Sequence, residues 1–210
     1  MNPTEAAFSR FVVAADGWCS GVSRMPSSNF DARPADAKID LLVVHNISLP
    51  PGQFGGQFIS DLFANRLDYD AHPYFDQLRA LRVSAHFLIR RDGIAMQFVS
   101  ARDRAWHAGH SSFRGRDGCN DFSIGIELEG SDFEPFSGIQ YEMLAALTVA
   151  LQAAYPLTDV AGHEHIAPGR KTDPGPFFDW GDYHLRYQQA LRRLQSSTIA
   201  AHSLHFHALA

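Results

Sequence analysis

Between Gly162 and Pro176 the chain reads GHEHIAPGRKTDPGP, a segment with three prolines and three glycines. Proline fixes φ and removes a backbone donor, so this composition predicts a stiff loop rather than a helix or a strand interior. His163 and Asp173 stand at its two ends with nine residues between them, and Lys171 lies inside it. Two metal-ligand types on one rigid loop read as half of a zinc site, which the rest of the chain must complete.

The other half is sought among strand ends. Residues 39–47 (IDLLVVHNI) form a continuous apolar run that predicts a strand buried on both faces. The run ends at His45-Asn46, just before Pro50-Pro51-Gly52, and ligands in open α/β sheets gather beyond the carboxyl ends of strands. Residues 123–129 (SIGIELE) alternate, with Ile124, Ile126 and Leu128 on one face and Gly125, Glu127 and Glu129 on the other. Residues 85–90 and 94–100 flank Arg91-Asp92-Gly93 and predict a hairpin. Phe58, Ile59, Leu62 and Phe63 predict a short helix, and Leu144, Leu147, Leu151 and Ala154 a longer one ended by Pro156. A short strand at 159–162 leads into the Pro/Gly segment. Trp180, Leu185, Ala190, Leu191 and Leu194 predict a last helix. Residues 1–38 read as loop-like, and the stretch from Ser196 as a frayed tail.

Composition narrows the function. With 210 residues the chain is of single-domain size, and 45% apolar with 20% charged residues is globular composition. A formal charge of −5 gives no electrostatic reason to expect nucleic acid or an acidic membrane as partner. No stretch approaches the roughly 18 apolar residues of a membrane span, and no secretory signal is recognisable at the N-terminus. Cys19 and Cys119 make no disulfide framework, so a cytoplasmic, reduced protein is the expectation. Basic residues are 16 arginines against Lys38 and Lys171, which draws notice to a lysine inside the Pro/Gly segment.

A catalytic zinc takes three protein ligands and keeps one position for water. His45, His163 and Asp173 would supply two nitrogens and one oxygen. The spacing matches no short zinc motif and carries little weight alone in a chain with eleven histidines. Glu127 is the candidate base, since a carboxylate opposite three aliphatics is costly unless it meets a cation or a metal. Lys171 is the candidate partner of an oxyanion. These groups together suit amide hydrolysis.

Five segments in order, LLVVHNISLPPGQFGG (41–56), RVSAHFLIRRDG (82–93), RAWHAG (104–109), CNDFSIGIELEG (119–130) and AGHEHIAPGRKTDPGP (161–176), resemble the AmpD-type N-acetylmuramoyl-L-alanine amidases. That zinc amidase family also holds phage T7 lysozyme and the peptidoglycan recognition proteins. The resemblance spans about residues 16–195, leaving 1–15 as an N-terminal extension and 196–210 as a disordered tail. It implies a single α/β domain with a central, mostly mixed sheet, flanking helices and a zinc cleft on one side. It implies Zn2+ on His45, His163 and Asp173, Glu127 as catalytic acid/base, and Lys171 as oxyanion support. Asn46, Arg82, Trp106 and His107 are implied to line the cleft.

The implied reaction is hydrolysis of the amide between 1,6-anhydro-N-acetylmuramic acid and L-alanine in cytoplasmic cell-wall recycling, which limits β-lactamase induction. A monomer acting on anhydro-muropeptide is expected. Two other readings compete: an amidase of intact peptidoglycan, and a non-catalytic module that binds its fragments. The chain departs from the family pattern at Gly118, where a basic residue is common and Arg114 or Arg116 would have to substitute. It departs again at His165, where Asp is common. His86 reads as a satisfied core histidine, Glu129 as a support, and Cys119 as part of the amidase motif rather than a nucleophile.

Overall fold

The apolar run forms a strand of seven residues, Leu41–Ile47, whose first four side chains are fully buried. It is an inner strand of a mixed sheet in the computed structural model, which describes residues 11–195 and 203–209. In chain order the strands of this sheet are β1 (Ser23–Arg24), β2 (Leu41–Ile47), β3 (Phe87–Ile89), β4 (Ala95–Gln97), β5 (Ser123–Glu129), β6 (Asp159–Gly162) and β7 (His205–Phe206). They lie side by side as β7-β6-β2-β5-β3-β4-β1. Neighbours are parallel except β3 and β4, the hairpin predicted around Asp92-Gly93. Asp92 Oδ1 closes that turn by accepting from the Ile94 amide at 3.0 Å.

Among the described residues four α-helices accompany the sheet: α1 (Phe58–Phe63), α2 (Gly138–Ala154), α3 (His163–Ile166) and α4 (Trp180–Gln195). Helix α2 begins where Ser137 and Gln140 cap one another reciprocally, and it stops at Tyr155, before Pro156. Its Leu144, Leu147 and Leu151 pack with Tyr183 and Tyr187 of α4 onto Ile124, Ile126 and Leu128 of β5. The alternation read in residues 123–129 therefore sets the aliphatic face against the helices. Opposite, Ile59, Leu62 and Phe63 of α1, joined by Phe75 from the 3-10 turn Pro73–Leu78, cover the hairpin half of the sheet around Leu88 and Phe98. Leu41, Val43 and Ala161 on that second face lie under Phe113 and Phe122. Beyond this cushion, towards the carboxyl ends of the strands, the same face carries the polar residues considered next.

Four expectations need correction. The buried stripe of α4 runs through Tyr183, Tyr187, Ala190 and Leu191, while Leu185 is 52% exposed. Tyrosine can occupy the core here because Thr148 bonds the Tyr183 hydroxyl at 2.7 Å and Gln152 accepts from that of Tyr187 at 2.8 Å. The Pro/Gly segment opens with a one-turn helix, α3, which is possible because its first proline, Pro168, comes only after the turn. Residues 11–38 are not mere loop: Phe11 is buried in the main core, and the segment contributes several two-residue strands. Residues 203–209 are not frayed, since β7 joins the sheet beside β6 with Leu204 and Phe206 buried. The rest of the expected tail, 196–202 and 210, lies outside the described residues, as do residues 1–10.

Candidate metal centre

Three parallel strands, β6, β2 and β5, end side by side. Their register places Glu127 opposite His45 and Gly162 opposite Val44, so that His163 follows directly at the carboxyl end of β6. Gly162 is required at that exit: a Cβ there would stand 2.7 Å from Pro174 Cδ and 3.2 Å from Trp180. From α3 the chain turns back through Ala167, whose carbonyl accepts from the Arg170 and Lys171 amides. The Asp173 carbonyl then accepts from the Glu164 amide at 2.8 Å. This return brings Asp173 over the two histidines.

His45 Nδ1, His163 Nδ1 and Asp173 Oδ2 form a triangle with each side 3.0 Å. Among the described residues it is the one group of three or more His, Cys, Asp or Glu side chains arranged to hold a metal ion. Its donor set fits zinc or a similar ion. Bond lengths of about 2.0–2.1 Å in a tetrahedron separate ligand atoms by roughly 3.3 Å, close to the sides found. His163 Nε2 lies 3.0 Å from the Ala108 carbonyl, which only accepts, so the Nε2 proton is fixed and the Nδ1 lone pair faces the triangle. Arg170 donates to the same carbonyl at 2.7 Å. Burial pushes His45 down to about 4, helped by His163 and opposed by Asp173. Burial alone would raise the Asp173 carboxyl, but its bonds with His163 and His45 outweigh that and hold it below the usual carboxylate range. Both states favour ligation, since neutral imidazoles and a carboxylate bind metals.

Glu127 is buried beside the triangle, and its Oε2 has no hydrogen-bond partner in the protein. Burial raises its carboxyl well above the ordinary value, Asp173 adds to the rise, and Lys171 opposes it. A carboxyl raised by burial, with an oxygen that no protein group engages, is the kind of group that can take up and return a proton. Lys171 is exposed on a cleft of about 400 Å³ that Asn46, Asp132, Phe133, Arg170 and Asp173 also line.

The remaining predicted residues distribute unevenly. Asn46 reaches the cleft and donates to Asp132 Oδ1 at 2.7 Å and to the Pro174 carbonyl at 3.0 Å. Arg82 is exposed, with its guanidinium on the Arg79 and Leu81 carbonyls, and Trp106 is half-buried with Nε1 bonded to Asp31. Neither lines that cleft. His107 is buried, and both its ring nitrogens are engaged, by His45 at 2.9 Å and Ser123 at 3.2 Å.

Neither arginine replaces the basic contact missing at Gly118. Arg114 pairs with Asp159 and Arg116 grips Asp40 through two bonds, both at the opposite ends of the strands. His165 Nδ1 accepts from the Gly162 amide at 2.8 Å and serves the start of α3. His86 is a core histidine, accepting from the Gly125 amide and donating to the Asp103 carbonyl. Glu129 supports loops by accepting from the Gly55 and Arg91 amides. Burial raises the Cys119 thiol, which suits no nucleophile.

Sequence reasoning missed Asp132, Phe133 and Arg170. Asp132 clamps Asn46 and Thr172 across the cleft, and Phe133 stands 85% exposed at its lip. A signal existed, since both residues follow the carboxyl end of β5 and Arg170 adjoins Lys171.

Fold and site together define a hydrolase-type metal centre at the carboxyl edge of a mixed α/β sheet. The family model for N-acetylmuramoyl-L-alanine amidases (Amidase_2) matches residues 35–176, and the chain belongs to that family. It is 57% identical over 166 residues to the 1,6-anhydro-N-acetylmuramyl-L-alanine amidase AmpD of Salmonella typhimurium (strain SL1344), covering 78% of this chain and 89% of the relative. The crystal structure of a selenomethionine derivative of AmpD superposes with a TM-score of 0.79 at 52% identity, covering 86% of this chain and 99% of the other. The amidase AmiD of E. coli, solved with the substrate anhydro-N-acetylmuramic acid-L-Ala-D-γ-Glu-L-Lys, matches at 28% identity and a TM-score of 0.52, covering 85% and 66%. No described helix is long and apolar enough to cross a membrane.

Proposed function

We propose that this chain is a zinc-dependent amidase that cleaves the bond between (1,6-anhydro-)N-acetylmuramic acid and L-alanine of muropeptides, in cytoplasmic cell-wall recycling. The observation that carries the reading is the 3.0 Å triangle of His45, His163 and Asp173 with the unpartnered Glu127 oxygen beside it. Every group of the centre comes from one chain, so a monomer suffices. AmpD and AmiD, as named above, supply the substrate class.

Zinc held by the triangle would polarise the amide carbonyl and lower the pKa of water to about 7. Glu127 takes the proton from the attacking water, because its carboxyl is buried on the strand beside His45, has an unpartnered oxygen and is raised by burial. It returns that proton to the amine of L-alanine as the C–N bond breaks. The Lys171 ammonium offsets the negative charge that develops on the carbonyl oxygen. Along the cleft Arg170 presents donors, and Asn46, whose amide protons go to Asp132 and Pro174, presents its side-chain oxygen, which together suit the sugar and the stem peptide.

The test is chelation and zinc restoration on anhydro-muropeptide, with products identified by mass spectrometry. Zinc should restore release of the anhydro-sugar and a peptide starting with L-alanine. Full activity without metal would overturn the reading, and faster cleavage of polymeric sacculi would move it to intact peptidoglycan.

A further inference from the structure

The second nitrogen of His45 begins a chain of bonds that no predicted role used. His45 Nε2 lies 2.9 Å from His107 Nδ1, and His107 Nε2 lies 3.2 Å from Ser123 Oγ. The Ser123 hydroxyl donates to the Cys119 carbonyl at 2.5 Å. All three side chains are buried. Only the last member has a fixed polarity, because a carbonyl accepts and never donates.

Directions then propagate back. Ser123 spends its one proton on Cys119, so its oxygen accepts from His107 Nε2–H. His107 Nδ1 consequently carries a lone pair and accepts from His45 Nε2–H. A neutral His45 with its proton on Nε2 presents the Nδ1 lone pair to the triangle. We propose that the His107–Ser123–Cys119 relay is a positioning device that fixes the tautomer of His45 and so holds the centre ready for a metal cation. The proposal rests on the metal-dependent reading above, while its tautomer claim concerns the metal-free protein.

An opposing force makes the relay necessary. Asp173 Oδ2, 3.0 Å from His45 Nδ1, would attract a proton onto that nitrogen whenever no metal is bound. Moving the proton there would leave His45 Nε2 as an acceptor, reverse the bond to His107, and bring two lone pairs together at Ser123 and Cys119. His163 is held in the matching tautomer by the Ala108 carbonyl. The backbone is shaped for this arrangement. Asn120 Oδ1 accepts from the His107 and Ala108 amides, and a Cβ on Gly125 would stand 2.4 Å from His107 Cγ. The glycine in β5 thus makes room for the His107 ring.

The experiment compares wild type with Ser123→Ala, His107→Asn and His107→Leu, using imidazole 15N shifts of the metal-free proteins and zinc affinity by chelator competition. In metal-free wild type, His45 should carry its proton on Nε2. Ser123→Ala should shift His45 towards the Nδ1–H form and weaken zinc binding by about 10–100-fold, the range for groups that orient a ligand. Asparagine keeps an acceptor near the place of Nδ1, so His107→Asn should retain more zinc affinity than His107→Leu. An Nδ1–H form of His45 in wild type overturns the proposal, as does Ser123→Ala with unchanged tautomer and affinity. Wild type that shows the stated tautomers but takes up no zinc would defeat the amidase reading while supporting the relay's direction.

Discussion

Glu127 and His45 are register partners on adjacent parallel strands, so their side chains leave the same face of the sheet at the same height. The proposed acid/base and a proposed metal ligand are therefore placed by strand pairing alone, with no loop between them. Their spacing is as rigid as the sheet, which suits a reaction whose water must sit between the two.

Glu127→Gln separates chemistry from metal binding. The amide keeps the shape but cannot take up a proton, so kcat should fall by about 10²–10⁴-fold with zinc content unchanged. The metal-free variant should also be more stable than wild type at neutral pH. The folded carboxyl titrates well above its unfolded value, so stability present at low pH is lost as pH rises through that window. Kinetics, metal analysis and thermal melts measure the three effects; an unchanged kcat would remove Glu127 from the mechanism.

Asp173→Ala should weaken zinc by more than the ~10–100-fold that changes outside the ligand set cost. Ligand binding to the folded state alone stabilises by about 4 kcal/mol at a thousand times Kd. Zinc should thus raise the melting temperature of wild type clearly and that of the variant little. Equal thermal shifts would exclude Asp173 as a ligand.

Acid should destabilise the metal-free protein before the carboxylates titrate. Burial holds His45 at about 4 and, with the Arg33 charge, His86 at about 3, against 6.5 for the free ring. The unfolded chain takes up these protons first, so stability present above about 6.5 is lost as pH falls towards 4 and 3. Glu127 works in the opposite direction, so the measurement uses the Glu127→Gln background: its melting temperatures from pH 7 to 4 in chelator should decline steadily, and a flat profile there would contradict the neutral buried rings.

Much of this centre was legible because strand patterns carry position. The run ending in His45 and the alternation around Glu127 predicted two strand ends, and parallel pairing brought them together. What escaped notice depends on contacts between segments far apart in sequence. His107 looks like a cleft residue beside Trp106, yet Gly125 gives it a buried niche that only the sheet reveals. Arg114 and Arg116 look free to meet a substrate, yet Asp159 and Asp40 hold them at the far ends of the strands. Leu185 fitted the helical stripe, while the tyrosines that replaced it needed partners on α2.

Gly162→Ala tests the exit from β6. The added methyl would meet Pro174 at 2.7 Å, and Pro174 adjoins Asp173. Overpacking of this kind costs about 1–3 kcal/mol, and here it should also displace a ligand. Both a lower melting temperature and weaker zinc binding are expected. A variant that melts lower but binds zinc as wild type would show that the loop absorbs the shift elsewhere.

Phe206→Ala tests whether the last described residues belong to the core. The ring of Phe206 lies 5.0 Å from that of Tyr183, 4.8 Å from His184 and 5.4 Å from Tyr187, at the sheet edge formed by β7. Removing a buried phenylalanine costs about 3–5 kcal/mol, which at roughly 2–4 °C per kcal/mol is a fall of some 6–20 °C in melting temperature. Leu209→Ala is the control, because that side chain is 49% exposed and should change stability by no more than about 0.5 kcal/mol. The zinc affinity of Phe206→Ala should stay near that of wild type, since β6 carries His163 through its pairing with β2 as well. Equal melting of the two variants would mean that β7 contributes no core contact in solution.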